Sequence, residues 1–432
     1  MKKRISLLFT FVIIGFPLFA SIITLSESDA VTLALNQNYE LKSSLIDLQK
    51  VEDQKKNSWN VMLPDFSIEG SVTNSNAIFG SSNGDYLKIT GSLSSSVTLN
   101  KYDKYYMEYD KLNYESELLN YEDDQKSLEV EVQKAFYYLL ANKQSLDIQK
   151  MNLDLALKRW EQMQSKYDNG LASELEVLET QSTYENLKPS YTTAYNSYQT
   201  QLMNFKSFLG IDLDQDIELN GDLDVEILDL DADALISTFL NNRIDIQNAQ
   251  KAIDLKTSLY DIEKASDISP SLALSLDYSY YNSDLLDSDW SDSASVTATI
   301  SIPLNGYIEG SEEDIAISDA QRSIEQSQLS YESAVEDAQM EIKTLVMEIE
   351  GYKENIDICE IAIDISQKTY DATEEAYNLG ATELLNLTEA QTTLFSAKQD
   401  LLTSQYNYLS AVFDLEKALN ASVDEIKSIL EL

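Results

Sequence analysis

Lys166 to Gln181 reads KYDNGLASELEVLETQ, and Ala376 to Gln391 reads AYNLGATELLNLTEAQ. Tyr167, Gly170, Leu175, Glu179 and Gln181 recur as Tyr377, Gly380, Leu385, Glu389 and Gln391, at a constant spacing of 210 positions (Tyr167 to Tyr377) without a gap. A long heptad-patterned segment enters each copy, a glycine interrupts it, and a second such segment leaves. Glycine takes backbone conformations other residues resist, so each copy reads as the tip of a helical hairpin.

The entering seam is regular over many turns. Leu128, Val132, Ala135, Leu139, Asn142, Leu146, Gln149, Leu153, Ala156, Trp160, Met163 and Tyr167 step by four and three. Ala338, Ile342, Leu345, Ile349, Tyr352, Ile356, Cys359, Ile363, Ser366, Tyr370, Thr373 and Tyr377 keep the same register. This period of 3.5 is a coiled-coil signature. Helices over about Tyr102–Lys166 and Tyr307–Tyr377 would each reach roughly 100 Å. The returning helices close at Gly210 and Asn420, both residue types that accept the left-handed conformation ending a helix. Pro189 predicts a bend in the first of them.

Upstream of each hairpin the period changes. Ser26–Val61 opens with Ser28 or Asp29 as candidate caps and carries Leu33, Leu41, Leu45, Leu48 and Val51 at helical spacing. Asp231–Ala265 is its counterpart, and the two helices stop near Pro64 and Pro270. Beyond each proline the sequence alternates with period two. Phe66, Ile68, Gly70 and Val72 alternate with Ser67, Glu69, Ser71 and Thr73, and Leu87–Leu99 does the same. Leu272, Leu274, Leu276, Tyr278 and Tyr280 alternate with Ser271, Ala273, Ser275, Asp277 and Ser279, followed by a partner run at Val296–Leu304. Strands of about 9–13 residues, apolar on one face and Ser/Thr-rich on the other, carry the pattern of transmembrane barrel strands. Tyr86, Tyr278, Tyr280, Tyr281 and Trp290 stand near strand ends, where aromatic girdles sit. Two amphipathic hairpins on a soluble core would show the same alternation. In lipid, however, an open edge is not tolerated, and two hairpins cannot close a barrel alone. Several chains are then required.

The expected organisation is a signal peptide over residues 1–20, a first structural repeat over 21–210 (helix, β-hairpin 64–100, coiled-coil hairpin with its tip near 170), an acidic linker at 211–231, a second repeat over 232–420 (β-hairpin 270–304, tip near 380) and a tail at 421–432. The signal reading rests on Lys2, Lys3 and Arg4, the apolar run Ile5–Phe19 and the small Ala20 and Ser21. No Cys follows that run, so there is no lipoprotein anchor site. In the linker, Ile217, Leu219, Leu223, Val225 and Ile227 alternate, predicting a short strand or strap on the helical body.

Composition excludes several function classes. The 432 residues contain no His, which rules out Ser-His triads, Cys-His pairs and His-based metal sites. Cys359 is the only cysteine and sits on the seam as a small core residue. There is no phosphate-cradling glycine loop and no carboxylate spacing for a divalent cation, so no cofactor or metal is expected, nor enzymatic activity. The net charge of −43, or −46 without Lys2, Lys3 and Arg4, repels nucleic acid and suits a cation-favouring surface or pore.

A leader, then helix, β-hairpin and long coiled-coil hairpin, all repeated, resembles the outer-membrane efflux protein family of TolC-like channels. The most specific parts are YDNGLASELEVLETQ, YNLGATELLNLTEAQTTLFSAKQDLLTSQYNYLSAVFDLEKAL and the strand-to-helix stretch SIPLNG at Ser301–Gly306. There Asn305 replaces a usual aromatic residue, and the first copy, Leu99-Asn100-Lys101, has no proline. The resemblance implies a mainly α protein with a transmembrane β-barrel part: a homotrimer whose chains each give four strands to a twelve-stranded barrel, above a periplasmic α-helical tunnel. It implies an outer-membrane exit duct of a tripartite efflux pump or type I secretion system in a diderm bacterium. Its partners would be a periplasmic adaptor (membrane fusion) protein, an inner-membrane pump and outer-membrane lipid.

Residue roles follow from the same resemblance. Gly170, Leu171, Ala172 and Ser173, with Gly380, Ala381, Thr382 and Glu383, stand where the family's tips meet the adaptor. The family's acidic closing rings fall on Asn386 and Glu389, with Glu176 and Glu179 as equivalents after the first tip. A restraining pair would join Tyr377 to Glu176, while a basic residue usual in that network is Thr382 here. Ordinary solvated helix-face acids and plain helical turns are the competing readings. A secreted coiled-coil adhesin explains the heptads but not the two period-two interruptions. A periplasmic adaptor needs one hairpin between small β-domains rather than two in tandem.

Overall fold

The computed structural model describes residues 23–75, 86–282 and 289–430. The leader at 1–20 lies outside them, as do the centres of both strand connections. In chain order, β1 (Ile23–Leu25) leads into α1 (Glu27–Gln37) and α2 (Tyr39–Asn57), then β2 (Asp65–Ser75) and β3 (Tyr86–Leu99). Next come α3 (Tyr102–Asp168), α4 (Glu174–Phe208), β4 (Ile217–Leu219), α5 (Ala232–Phe239) and α6 (Ile244–Ile268). The chain continues with β5 (Ser271–Asn282), β6 (Trp290–Ser301), α7 (Glu312–Asn378), α8 (Leu384–Leu419) and α9 (Val423–Leu430). The fold is mainly helical. None of the described helices is long and apolar enough to cross a membrane.

The first helix starts at Glu27, ahead of both expected caps, Ser28 and Asp29. Ser26 is the N-cap: its hydroxyl accepts from the Asp29 backbone, and Asp29 returns a bond to the Ser26 N–H. Asp29 thus serves the cap from the third helical position. Pro189 lies inside α4, which runs through it.

The chain forms two compact units, and α3 and α7 contribute to both. One unit comprises residues 23–39, 128–227 and 348–413. Its core follows the seam at Val132, Leu139, Ile349, Ile356, Leu387 and Leu394, and Phe136, next to the seam position Ala135, is buried with them. Here β1 pairs in parallel with β4, setting Leu25 beside Leu219. The acidic stretch after β4 is held down by buried Leu223 and by the Tyr408 hydroxyl, which donates to the Glu226 carbonyl at 3.1 Å. Ile227 is exposed, so the alternation slips by one residue there.

The other unit comprises 40–127, 228–347 and 414–432. It holds an antiparallel sheet in the order β2-β3-β5-β6. The two hairpins are joined through β3 and β5, with Leu93 opposite Tyr278 and Leu99 opposite Leu272. Register carries the period-two pattern across all four strands. Ile68, Leu93, Tyr278 and Ala294 share one face, and Ser67, Ser94, Asp277 and Ser295 share the other. Hydroxyls bridge strands on the polar face, at 2.6 Å for Ser67–Ser94 and 2.8 Å for Ser279–Ser293. Among the described residues the apolar face is uncovered: Ile68 is 85% exposed and Val296 79%. Among the described residues, the outer edges of β2 and β6 pair with no strand.

Where β6 gives way to α7, Gly306 fits a narrow space. A Cβ there would stand 2.7 Å from Ile268 Cγ2 and 2.8 Å from the Asp267 carbonyl oxygen. Tyr307 adds a hydroxyl bond to the Ile268 carbonyl at 3.1 Å.

Candidate functional site at the hairpin tips

Each tip is built by one local device used twice. Gly170 has φ of 70° and Gly380 of 72°. Gly170 N–H donates to the Tyr167 carbonyl and Leu171 N–H to that of Lys166, both at 2.8 Å. Gly380 and Ala381 repeat this with Tyr377 and Ala376, at 3.0 and 2.8 Å. These pairs form a Schellman motif, which satisfies carbonyls that a helix end leaves free. Gly210 and Asn420, also at positive φ, close α4 and α8 in the same way.

The returning helices start differently. Ser173 caps α4, and Glu176 completes a capping box: its Oε2 accepts from the Ser173 backbone at 2.7 Å and from its hydroxyl at 2.8 Å. Those bonds, the backbone one foremost, hold the Glu176 carboxyl below its ordinary range. At the second tip the matching positions are Glu383 and Asn386, and the Asn386 amide instead donates to the Thr382 hydroxyl at 2.9 Å.

The two tips border a cleft of about 1010 Å³, with Leu171, Ala172, Glu176 and Glu179 on one side and Tyr377, Gly380, Thr382 and Glu383 on the other. Apolar side chains stand out around it: Leu171 is 78% exposed and Leu379 77%. Burial, then the Glu176 charge, pushes the Tyr377 hydroxyl above its ordinary value. Tyr377 and Glu176 are brought to the same cleft, but within one chain the Glu176 carboxylate bonds to Ser173. Glu389 and Asn386 are exposed on α8 and do not line the cleft. Gly170, Ser173 and Ala381 are at the tips beside it.

Sequence reading passed over a polar cluster farther up the hairpins. Arg159 of α3 donates to the Gln391 amide oxygen on α8 and, at 3.1 Å, to the Tyr370 hydroxyl on α7. The only signal was the scarcity of arginine; the partners lie more than 200 residues away in sequence.

A sequence profile of the family described as "Outer membrane efflux protein" matches residues 30–211 and 235–421. None of the curated proteins compared matches the chain. Among solved structures, the CmeC outer membrane channel of Campylobacter jejuni superposes with a TM-score of 0.77 at 18% identity, covering 94% of this chain and 88% of that one. CusC gives 0.74 at 18%, covering 92% of both chains. VceC, an outer membrane protein of Vibrio cholerae, gives 0.73 at 17%, covering 92% and 96%. The paired helix, hairpin and tip elements, the profile match over both halves and the fold shared with TolC-like channels lead to one assignment: the chain belongs to the outer membrane efflux protein family.

Proposed function

We propose that three copies of this chain form the outer-membrane exit duct of a tripartite efflux pump or type I secretion system. The carrying observation is the sheet: two hairpins in one chain, an apolar face left bare, and unpaired edges at β2 and β6. In lipid every backbone polar group must be bonded, so those edges close only against other copies. Three chains would give a twelve-stranded barrel with the Ser/Thr face inward and the Ile68 and Val296 face toward lipid. The two halves of the sequence, 21–210 and 232–420, then act as structural repeats around one axis.

The duct does no chemistry; an inner-membrane pump drives substrate into it through a periplasmic adaptor. Gly170–Ser173, with exposed Leu171, and Gly380–Glu383, preceded by exposed Leu379, are the adaptor-facing surface. Glu389 from three chains places three carboxylates about the axis, where they repel one another and attract cations. Asn386, Glu176, Glu179 and Tyr377 surround that constriction.

Single-channel recording on detergent-purified protein in a planar bilayer tests the reading. A small, cation-favouring conductance that grows in Glu389→Ala is expected. A folded helical protein that never conducts would overturn the duct and favour a coiled-coil adhesin.

A further inference from the structure

We propose that Lys88 is a specificity-determining residue of the duct. Three copies would set a ring of ammonium groups at the outer mouth of the barrel, beyond rings of carboxylates, and make ion flow directional. This rests on the trimeric duct proposed above, with its Ser/Thr face inward.

Strands β2, β3, β5 and β6 hold one basic residue among them, Lys88. It stands near the start of β3, at the end of the sheet away from α3. Register sets it opposite Thr73, on the face that carries Ser67, Ser71 and Thr90. Two ordinary uses of a strand lysine do not apply. β3 is paired on both sides, so Lys88 guards no open edge. It belongs to the polar face, so it does not reach out of an apolar one. Its ammonium lies 4.6 Å from the centroid of the Tyr281 ring, within reach of a cation–π attraction. Tyr281 is opposite Thr90 and so is a diagonal neighbour of Lys88. Asp289, just before β6, is two strands away, roughly 10 Å at the usual strand spacing.

The same face carries carboxylates in successive rows. Asp65 is opposite Ser96, Asp277 opposite Ser94 and Glu69 opposite Ser92. The Lys88 row, at Thr73, lies beyond Glu69 by roughly 14 Å along the strand at about 3.4 Å per residue. Fixed charges are screened over about 8 Å at physiological salt. The ammonium therefore does not cancel the carboxylates, and two zones of opposite sign stand in series. Carboxylate rings favour cations and ammonium rings favour anions. A voltage that drives cations outward from the acidic zone also drives anions inward through the mouth, and both zones fill with carriers. The opposite voltage empties them. Outward cation flow is then the high-conductance direction, and anionic groups on a leaving solute meet Lys88 at the exit.

The test is the single-channel current–voltage curve in symmetric KCl, with protein added from one side, together with reversal potentials in a salt gradient. Wild type is expected to rectify at about 0.1 M salt and to lose the asymmetry at about 1 M, where the screening length falls to about 3 Å. Lys88→Gln should lose rectification at the lower salt and shift the reversal potential toward the cation value. Thr73→Lys, added to Lys88→Gln, returns a charge to the same row and should restore both. Thr73→Glu places a carboxylate opposite Lys88 and should act like Lys88→Gln; it replaces that variant if the latter does not assemble. Wild-type curves in Lys88→Gln or in Thr73→Glu would overturn the ring. So would a loss in Lys88→Gln that Thr73→Lys does not restore, because the contact with Tyr281 rather than the charge would then be what matters. A wild type that conducts without rectifying overturns the ring and leaves the duct standing. A wild type that never conducts removes the duct and the ring with it.

Discussion

Glu176 accepts two hydrogen bonds from Ser173, at 2.7 Å from its backbone and 2.8 Å from its hydroxyl, and so turns one acid of the tip into a helix cap. Ser173→Ala removes the hydroxyl partner and is expected to cost about 1 kcal/mol locally. A carboxyl lowered in the folded state stabilises it above the unfolded value and loses that contribution as pH falls through the folded value. The cap therefore holds at neutral pH and weakens only on the acid side of the ordinary glutamate range. In Ser173→Ala the Glu176 midpoint moves upward. Isotope-edited infrared titration reads this directly, and an unmoved midpoint would contradict the capping account.

Gly170 and Gly380 have open space where a Cβ would stand, yet both have positive φ. Alanine at either is expected to cost about 1–2 kcal/mol through backbone conformation alone. Hydrogen exchange at Leu171 and Ala381, whose N–H groups close the turns, should quicken in the matching variant only.

At Gly306 the obstacle is contact, not φ. Gly306→Ala forces Ile268 and the Asp267 carbonyl to move, and the thermal midpoint of the unit should fall. Gly351→Ala, a helical site with nothing within 4 Å, is the control and should leave it unchanged or raise it.

The faces of the sheet predict opposite responses to charge. Ile68→Lys places an ammonium on the apolar face and is expected to cost up to about 2–4 kcal/mol near mid-bilayer. Ser71→Lys, on the polar face, should assemble normally and shift conductance toward anions. Heat-modifiable mobility reports assembly, and reversal potentials report selectivity.

Much of this was legible because the chain repeats itself. The tip glycines, the helix ends at Gly210 and Asn420 and the faces of the four strands follow from local rules that act wherever the residues recur. What local rules do not carry is partnership. Alternation tells which face Leu93 occupies, not that Tyr278 stands opposite it. Heptads place Arg159 near a seam without naming Gln391. Ser28 and Asp29 are acceptable caps by type, and only the course of the chain selects Ser26. Glu176 is an acid like its neighbours until Ser173 engages it.

The bare edges of β2 and β6 also bear on inheritance. If other copies complete the wall, as proposed, each duct is a collective product, and a chain damaged along either edge harms more than itself. Built into assemblies with sound chains, it would leave a seam in every one it enters. Loss of function from such an allele would be dominant, whereas damage to a tip turn would be diluted by healthy copies.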